Sequence, residues 1–164
     1  TDFDSMMNAR LFAIAAYIIV IMIGGFLLAG VVLNPFMTIE TRGSSLYGIF
    51  QPLMSSKAAW IYLVLMSFNL AMSIIPVCYL AAAVAILKPD EYVAVGAGFF
   101  VFYLLFYFTV SLPWILSYSS LTSEPGRASV GEVIYHVVFF TICSLAAAKC
   151  VKAVMQKRFL NGMD

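Results

Sequence analysis

Residues 58–87 read AAWIYLVLMSFNLAMSIIPVCYLAAAVAIL and contain no Asp, Glu, Lys or Arg. A helix of this length extends about 45 Å, whereas about 20 helical residues are enough to cross a hydrocarbon core of about 30 Å. The stretch lacks the alternation of apolar and polar residues that is typical of a barrel strand. It therefore predicts a transmembrane α-helix.

Three more apolar stretches predict helices of the same kind. The four predicted helices cover about residues 11–33, 58–87, 92–118 and 129–155. Proline ends the first two, at Asn34-Pro35 and at Lys88-Pro89, because it disfavours a continuing helix. The predicted fold class is all-α: an integral membrane protein whose residues 1–164 form a single transmembrane domain, an antiparallel bundle of four transmembrane helices.

The first outer loop, residues 34–57, is long and only weakly polar. Its apolar residues recur at helical spacing, which indicates a short helix lying in the membrane interface. A loop that caps the bundle explains the same pattern equally well. Helix four, in contrast, has a clear start, because Ser129 and Glu132 have the spacing of a capping box.

Composition and charge restrict the classes of partner. Hydrophobic residues make up 63% of the chain and charged residues 10%, whereas soluble domains have about half and about a quarter. The formal net charge is only +1, so the chain offers no broad basic surface for nucleic acid. The expected partners are therefore membrane lipid and other transmembrane subunits.

Basic residues predict the orientation, because Lys and Arg are retained on the cytoplasmic or equivalent inner side of a membrane. Four spans put both termini and the loop after helix two on one side. That side has six basic residues, and the other side has three: Arg10, Lys88, Lys149, Lys152, Lys157 and Arg158 against Arg42, Lys57 and Arg127. The count favours a multi-pass protein with both termini on the inner side.

Small residues and one amide predict where the helices pack. Gly24, Gly25, Ala29 and Gly30 give helix one a surface that lets another backbone approach closely. Asn69 lies near the middle of helix two, where an unpaired amide is costly, so we expect it to face another helix or a polar cavity. An interhelical hydrogen bond is favoured over a ligand site beside Pro76.

Reactive side chains are few. Glu132 and His136 are one turn apart on helix four and form a candidate polar site, although His136 is the only histidine and a metal site needs further ligands. We therefore expect no metal site and no catalytic site. Cys150, set between Lys149 and Lys152, is a candidate for lipidation, with a plain structural role favoured.

Function is argued largely from absences. No Asp, Glu, Lys or Arg lies deep within the predicted spans, which disfavours ion-coupled transport, and no motif of an enzyme occurs. Aromatic residues surround helix three on every side, more than a small bundle buries. The sequence implies no cofactor, although lipid, pigment or another subunit could cover these rings.

The leading hypothesis is a non-catalytic accessory or scaffold subunit that packs laterally in a larger membrane protein complex. The alternative is a small, oligomeric channel or carrier for a neutral or lipid-like substrate, using Asn69, Pro76, Thr109 and Pro113 at a cavity between helices two and three. A third hypothesis, a membrane-embedded enzyme, would depend on Glu132, His136 and Tyr135.

Overall fold

Four α-helices make up almost all of the described chain. The computed structural model describes residues 3–33, 59–88, 90–109, 111 and 130–161. The helices are α1 (Phe3–Leu33), α2 (Ala59–Leu87), α3 (Glu91–Thr109) and α4 (Val130–Asn161). The predicted all-α class with four helices is confirmed for these residues. Three of them, α1, α2 and α4, are long and apolar enough to cross a membrane, and α3 has a shorter apolar part, Val95–Thr109.

Helix α1 begins at Phe3, earlier than the predicted start near Leu11. Its first turns contain polar residues, but Met7 and Leu11 are buried against α2 and α4. A helix with one apolar face gains from burying that face even where its other faces are polar. The prediction followed only the uninterrupted apolar stretch and so missed these turns.

Helix α4 ends at Asn161, beyond the predicted end near Met155. Its last turns are held by contacts with other helices: the Arg158 guanidinium donates a hydrogen bond to the Ile86 carbonyl of α2. The Phe159 ring lies 6.3 Å from the Phe3 ring of α1, measured between centroids. The start of α1 and the ends of α2 and α4 therefore meet at one end of the molecule, called here the basic end.

Several predictions lie outside the described residues. These are the interfacial helix or capping loop within 34–57, the last part of helix three from 112 to 118, and the capping serine Ser129. The described residues therefore establish the four helices and do not test these three predictions.

Helix α2 is the central helix. It packs against α1, α3 and α4, whereas α1 and α4 touch over a short region and α3 and α4 touch each other little within the described ranges. The reason lies in composition, because α2 has no charged residue over its whole length and can be covered on all sides.

Two clusters of buried side chains hold the helices around α2. The larger cluster joins α1, α2 and α4 near the basic end and consists of Met7, Leu11, Ile75, Tyr79, Ala83, Ala147 and Val151. Within it, the Tyr79 hydroxyl donates a buried hydrogen bond of 2.7 Å to the Leu11 carbonyl. The smaller cluster, Val77 and Phe140, packs against Val101 and Leu105 of α3. Together the clusters join α1, α3 and α4 to α2.

The connection between α2 and α3 is short and hydrogen-bonded. The Lys88 amide donates to the Val84 carbonyl at 3.1 Å, which closes the end of α2. The Asp90 carboxylate accepts from the amides of Tyr92 and Val93 at 2.8 and 3.4 Å. Asp90 thus caps the first turn of α3, where amides have no partner within the helix.

Candidate functional site

Polar side chains of α2 lie among its buried residues, on more than one face of the helix. Ser67, Asn69 and Ser73 are all buried. The Ser67 hydroxyl donates to the Leu63 and Val64 carbonyls, and the Ser73 hydroxyl donates to the Leu70 carbonyl at 2.7 Å. Serine commonly bonds its own helix in this way, which removes the cost of burying the hydroxyl. The serines are therefore satisfied within α2.

Asn69 and His136 differ from these serines. They are 5% and 3% exposed, and neither Asn69 Oδ1 nor His136 Nδ1 has a hydrogen-bond partner among the described residues. The interhelical hydrogen bond predicted for Asn69 is therefore not made through this oxygen within the described ranges. An unsatisfied buried polar atom costs about 1 to 3 kcal/mol, so both side chains keep unused bonding capacity at an energetic cost.

The candidate polar site at Glu132 and His136 lies in the first turns of α4. Glu132 is half-buried and His136 is buried, and the Tyr135 ring lies 6.2 Å from the His136 ring. In the part of the chain that the structure describes, no three His, Cys, Asp or Glu side chains form a group that could hold a metal ion. The site thus consists of one carboxylate and one imidazole, with the Tyr135 ring beside it.

The predicted packing surface of α1 divides into two parts. A Cβ atom placed at Gly30 would lie 3.0 Å from Leu63 Cδ1 and 3.0 Å from Trp60 Cζ3, so a larger residue here would push against these side chains of α2. Gly24 and Gly25 have no atom within 4 Å of such a Cβ. Ala29 is exposed as well. Among the described residues, Gly30 is the one of the four that packs against another helix, and the other three form a surface that the described part of the chain leaves uncovered.

An apolar cavity lies between α2, α3 and α4. Its volume is about 300 Å³, at the lower end of the range for small-molecule sites. Its walls on α2 and α3 are Pro76, Leu80, Leu105 and Thr109, and its wall on α4 is a stripe from Phe139 to Cys150 that includes Phe140, Cys143, Ala146 and Ala147. Ala146 and Cys150 are exposed, so the cavity opens at the surface as a groove.

The cavity includes part of the predicted carrier site. Pro76 and Thr109 line it, Asn69 is not among the lining residues, and Pro113 lies outside the described residues. The Thr109 hydroxyl donates to the Leu105 carbonyl of its own turn, so it presents little polarity to the groove. The sequence did not predict the groove itself, because its walls come from three helices. The one signal was the set of small residues on one face of α4: Cys143, Ala146, Ala147 and Cys150.

Cysteine chemistry at the groove is confined to its wall on α4. Cys143 is half-buried and Cys150 is exposed, and both are unpaired thiols, as is the half-buried Cys78. Cys150 stands at the end of the groove that is closer to the basic end. Lys149 and Lys152 flank it in sequence, and Lys152 Nζ lies 3.8 Å from Asp4 Oδ1 of α1.

The fold and these sites define a class: an all-helical protein with three helices able to span a membrane, an uncovered small-residue surface on α1 and an apolar groove. Comparisons with known proteins add no relative to this description. No protein-family model matches the chain, and neither does any curated protein or solved structure. Function is therefore argued from the surfaces and the groove alone.

Proposed function

We propose that this protein is a non-catalytic transmembrane subunit that packs laterally against other subunits of a larger membrane protein complex. In this proposal the four helices cross the bilayer as an antiparallel bundle, with both termini and the α2–α3 connection on the inner side. The observation that carries the proposal is the uncovered small-residue surface of α1.

Burial along α1 supports a partner. In the most apolar 18-residue window of each helix, 6% of the residues are buried in α1 and 44% in α2, although both windows are strongly apolar. Lipid could cover an apolar surface of this kind. The two open glycines, Gly24 and Gly25, rather than the apolar character of α1, therefore favour a protein partner over lipid.

Gly24 and Gly25 are costly in a helix that gains nothing from them internally. A glycine inside a helix is about 1 kcal/mol less favourable than alanine. Within the described chain no neighbour needs the space, since nothing lies within 4 Å of a Cβ at either position. In membranes, small residues of this kind let a second helix approach closely and gain van der Waals contact. A helix of another subunit is the occupant that this surface fits.

The aromatic surface of α3 is consistent with the same proposal. Every aromatic side chain of α3 from Phe99 to Phe108 is exposed. Aromatic rings are stable against lipid and are also common in contacts between proteins. Either lipid or a partner can cover this surface, so the proposal does not depend on it.

The distribution of charge supports the proposed orientation. The basic end brings Arg158 against the Ile86 carbonyl and Lys152 against Asp4, and Lys88 follows the end of α2. Basic residues are retained on the inner side of membranes. An epitope tag at each terminus, tested for accessibility on either side of sealed vesicles, checks this part of the proposal. Tags that are accessible on opposite sides would contradict it.

The lateral interface is tested with Gly25→Leu. The larger side chain removes the close approach of a partner helix, so we expect the complex isolated from native membranes in mild detergent to lose this subunit. The isolated chain should be as stable as before or more stable by up to about 1 kcal/mol, because leucine is the better helix former. Loss of the subunit from the complex, together with unchanged or increased stability of the isolated chain, would indicate a lost interface. A decrease in both would indicate a damaged fold.

Gly96→Leu is the matched control. Gly96 lies on α3 and also has no atom within 4 Å of an added Cβ. The same enlargement at this site should leave the complex intact. If Gly25→Leu remains in a complex of unchanged size, or if the wild-type chain migrates only as a monomer, the proposed function is wrong.

A carrier of a neutral or lipid-like molecule is the second candidate, and the apolar groove favours it. Movement of a fluorescent phospholipid between the leaflets of liposomes that contain only this protein tests it. Ala146→Phe, which narrows the groove, should slow that movement if the groove is the path. Equal rates with and without the protein would reject the carrier.

A further inference from the structure

The groove between α2, α3 and α4 has the dimensions and the polarity of a site for one lipid tail. We propose that it binds a single anionic phospholipid of the inner leaflet, with an acyl chain in the groove and the phosphate beside Lys149 and Lys157. This inference depends on the proposed membrane insertion but not on a partner subunit.

The length of the groove matches one leaflet. From Phe139 to Cys150, α4 advances by about 16 Å, and half of a hydrocarbon core of about 30 Å is about 15 Å. The uncharged stretch of α4 runs from Val133 to Ala148, so its middle lies near Phe140. The groove therefore begins near the middle of the span and ends where the charged residues begin.

The lining of the groove fits a hydrocarbon chain and little else. Its walls are aliphatic and aromatic carbon with two thiols, and the one hydroxyl, on Thr109, is already bonded to the Leu105 carbonyl. A ligand with polar groups along its length would lose hydrogen bonds to water and gain none here. An acyl chain has no polar group beyond its ester, so it needs no hydrogen bond from the walls of the groove.

Charge at one end of the groove selects the headgroup. Lys149 precedes Cys150 at the end of the groove, and Lys157 lies two turns beyond Cys150 on the same face of α4. Both side chains are exposed, whereas Lys152 is near Asp4. Basic residues at the inner end of a groove between transmembrane helices attract anionic headgroups. An inner-leaflet phospholipid whose tail fills the groove would bring its phosphate to this position.

Photolabelling of the purified chain in bilayers tests the site. The probe is phosphatidylglycerol with a photoactivatable acyl chain, at low concentration in phosphatidylcholine bilayers, and labelled peptides are identified by mass spectrometry. We expect the label to concentrate on the 139–150 segment and around Leu105, several-fold above the exposed outer turns of α1. Phosphatidylcholine with the same chain should label this segment several-fold less.

Two pairs of variants separate the tail from the headgroup. Ala146→Phe should abolish the concentrated label, and Leu145→Phe, at an exposed position of α4 that does not line the groove, should not. Lys149→Gln combined with Lys157→Gln should reduce phosphatidylglycerol labelling to the phosphatidylcholine level. Arg10→Gln removes an exposed charge near the basic end on α1 and should keep the preference.

Three results would overturn the inference. One is label spread evenly over all exposed helix faces, and another is equal labelling by the two lipids. The third is an intact mass of the chain from native membranes that shows a thioester-linked acyl chain on Cys150, because the groove would then hold its own covalent chain. Since wild-type labelling is informative by itself, the test stands even if a variant fails to fold. The measurement uses no partner subunit, so failure of the lateral interface leaves it unaffected.

Discussion

Helices α1 and α2 are both strongly apolar, yet their surroundings differ. Within the most apolar window of each, 44% of α2 and 6% of α1 is buried. Hydropathy shows that both helices are stable in an apolar environment. It does not distinguish lipid from a protein interior, because the two are equally apolar. What separates the two helices is therefore the fit between side chains: α2 packs against α1, α3 and α4, whereas much of α1 has no neighbour among the described residues.

The contrast continues within α1 itself. Its first turns enter the core through Met7 and Leu11, and near its end Gly30 packs tightly on α2. Between these points Gly24 and Gly25 are open. Substitutions at covered and at uncovered positions should therefore change the stability by different amounts and with different signs. Each effect is measured as a change in the free energy of unfolding, obtained by titrating a denaturing detergent into the protein in mild detergent.

Phe140→Ala should have the largest effect, a loss of about 2 to 4 kcal/mol. Phe140 is 1% exposed between α2 and α3, and its removal leaves a cavity that the rigid helices do not fill. The matched control is Phe99→Ala on α3, where the ring is 74% exposed and lipid or detergent fills the space. A comparable loss at Phe99 would remove the distinction between covered and uncovered surfaces.

Gly30→Leu should cost about 1 to 3 kcal/mol, because overpacking forces Trp60 and Leu63 away from α1. Gly25→Leu on the same helix should cost nothing and gain up to about 1 kcal/mol from helix propensity. This pair compares one substitution at a closed and an open position of α1. Equal losses at both sites would mean that α1 is covered where we describe it as open.

Tyr79→Phe should cost about 1 kcal/mol, because it removes the hydrogen bond to the Leu11 carbonyl and keeps the ring in place. Tyr92→Phe, at an 89% exposed position at the start of α3, is its control and should change stability little. An unchanged stability in Tyr79→Phe would indicate that packing alone holds α1 to α2.

Lys152→Gln should have the smallest effect, below about 0.5 kcal/mol. The ion pair with Asp4 is long, at 3.8 Å, and the Asp4 side chain is 60% exposed, so solvent screens it. Adding salt should remove whatever difference remains between this variant and the wild type. A loss above 1 kcal/mol that persists in high salt would show that Lys152 has a packing role.

Prediction from sequence was accurate where a single helix carries the signal. The absence of charge over residues 58–87 was enough to predict α2, and the helical class follows from the same argument for each apolar stretch. The predicted ends were wrong at Phe3 and at Asn161, where the helix continues beyond the apolar stretch. Those turns depend on Met7 and Arg158 finding partners on other helices, which no local pattern contains.

The candidate sites divide in the same way. Glycine at 24, 25 and 30 looks alike in sequence, and only the position of α2 distinguishes Gly30 from the other two. Asn69 was expected to face another helix or a polar cavity. Its side chain is buried, but the lack of a partner for its Oδ1 among the described residues was not predictable. Sequence alone thus determined that these segments are helical and apolar, because the length of an apolar stretch and its lack of charged residues are visible along the chain without knowledge of the fold. Which faces pack, which stay open, and where three helices leave a groove were decided by tertiary structure, because close packing depends on shapes that meet only after folding.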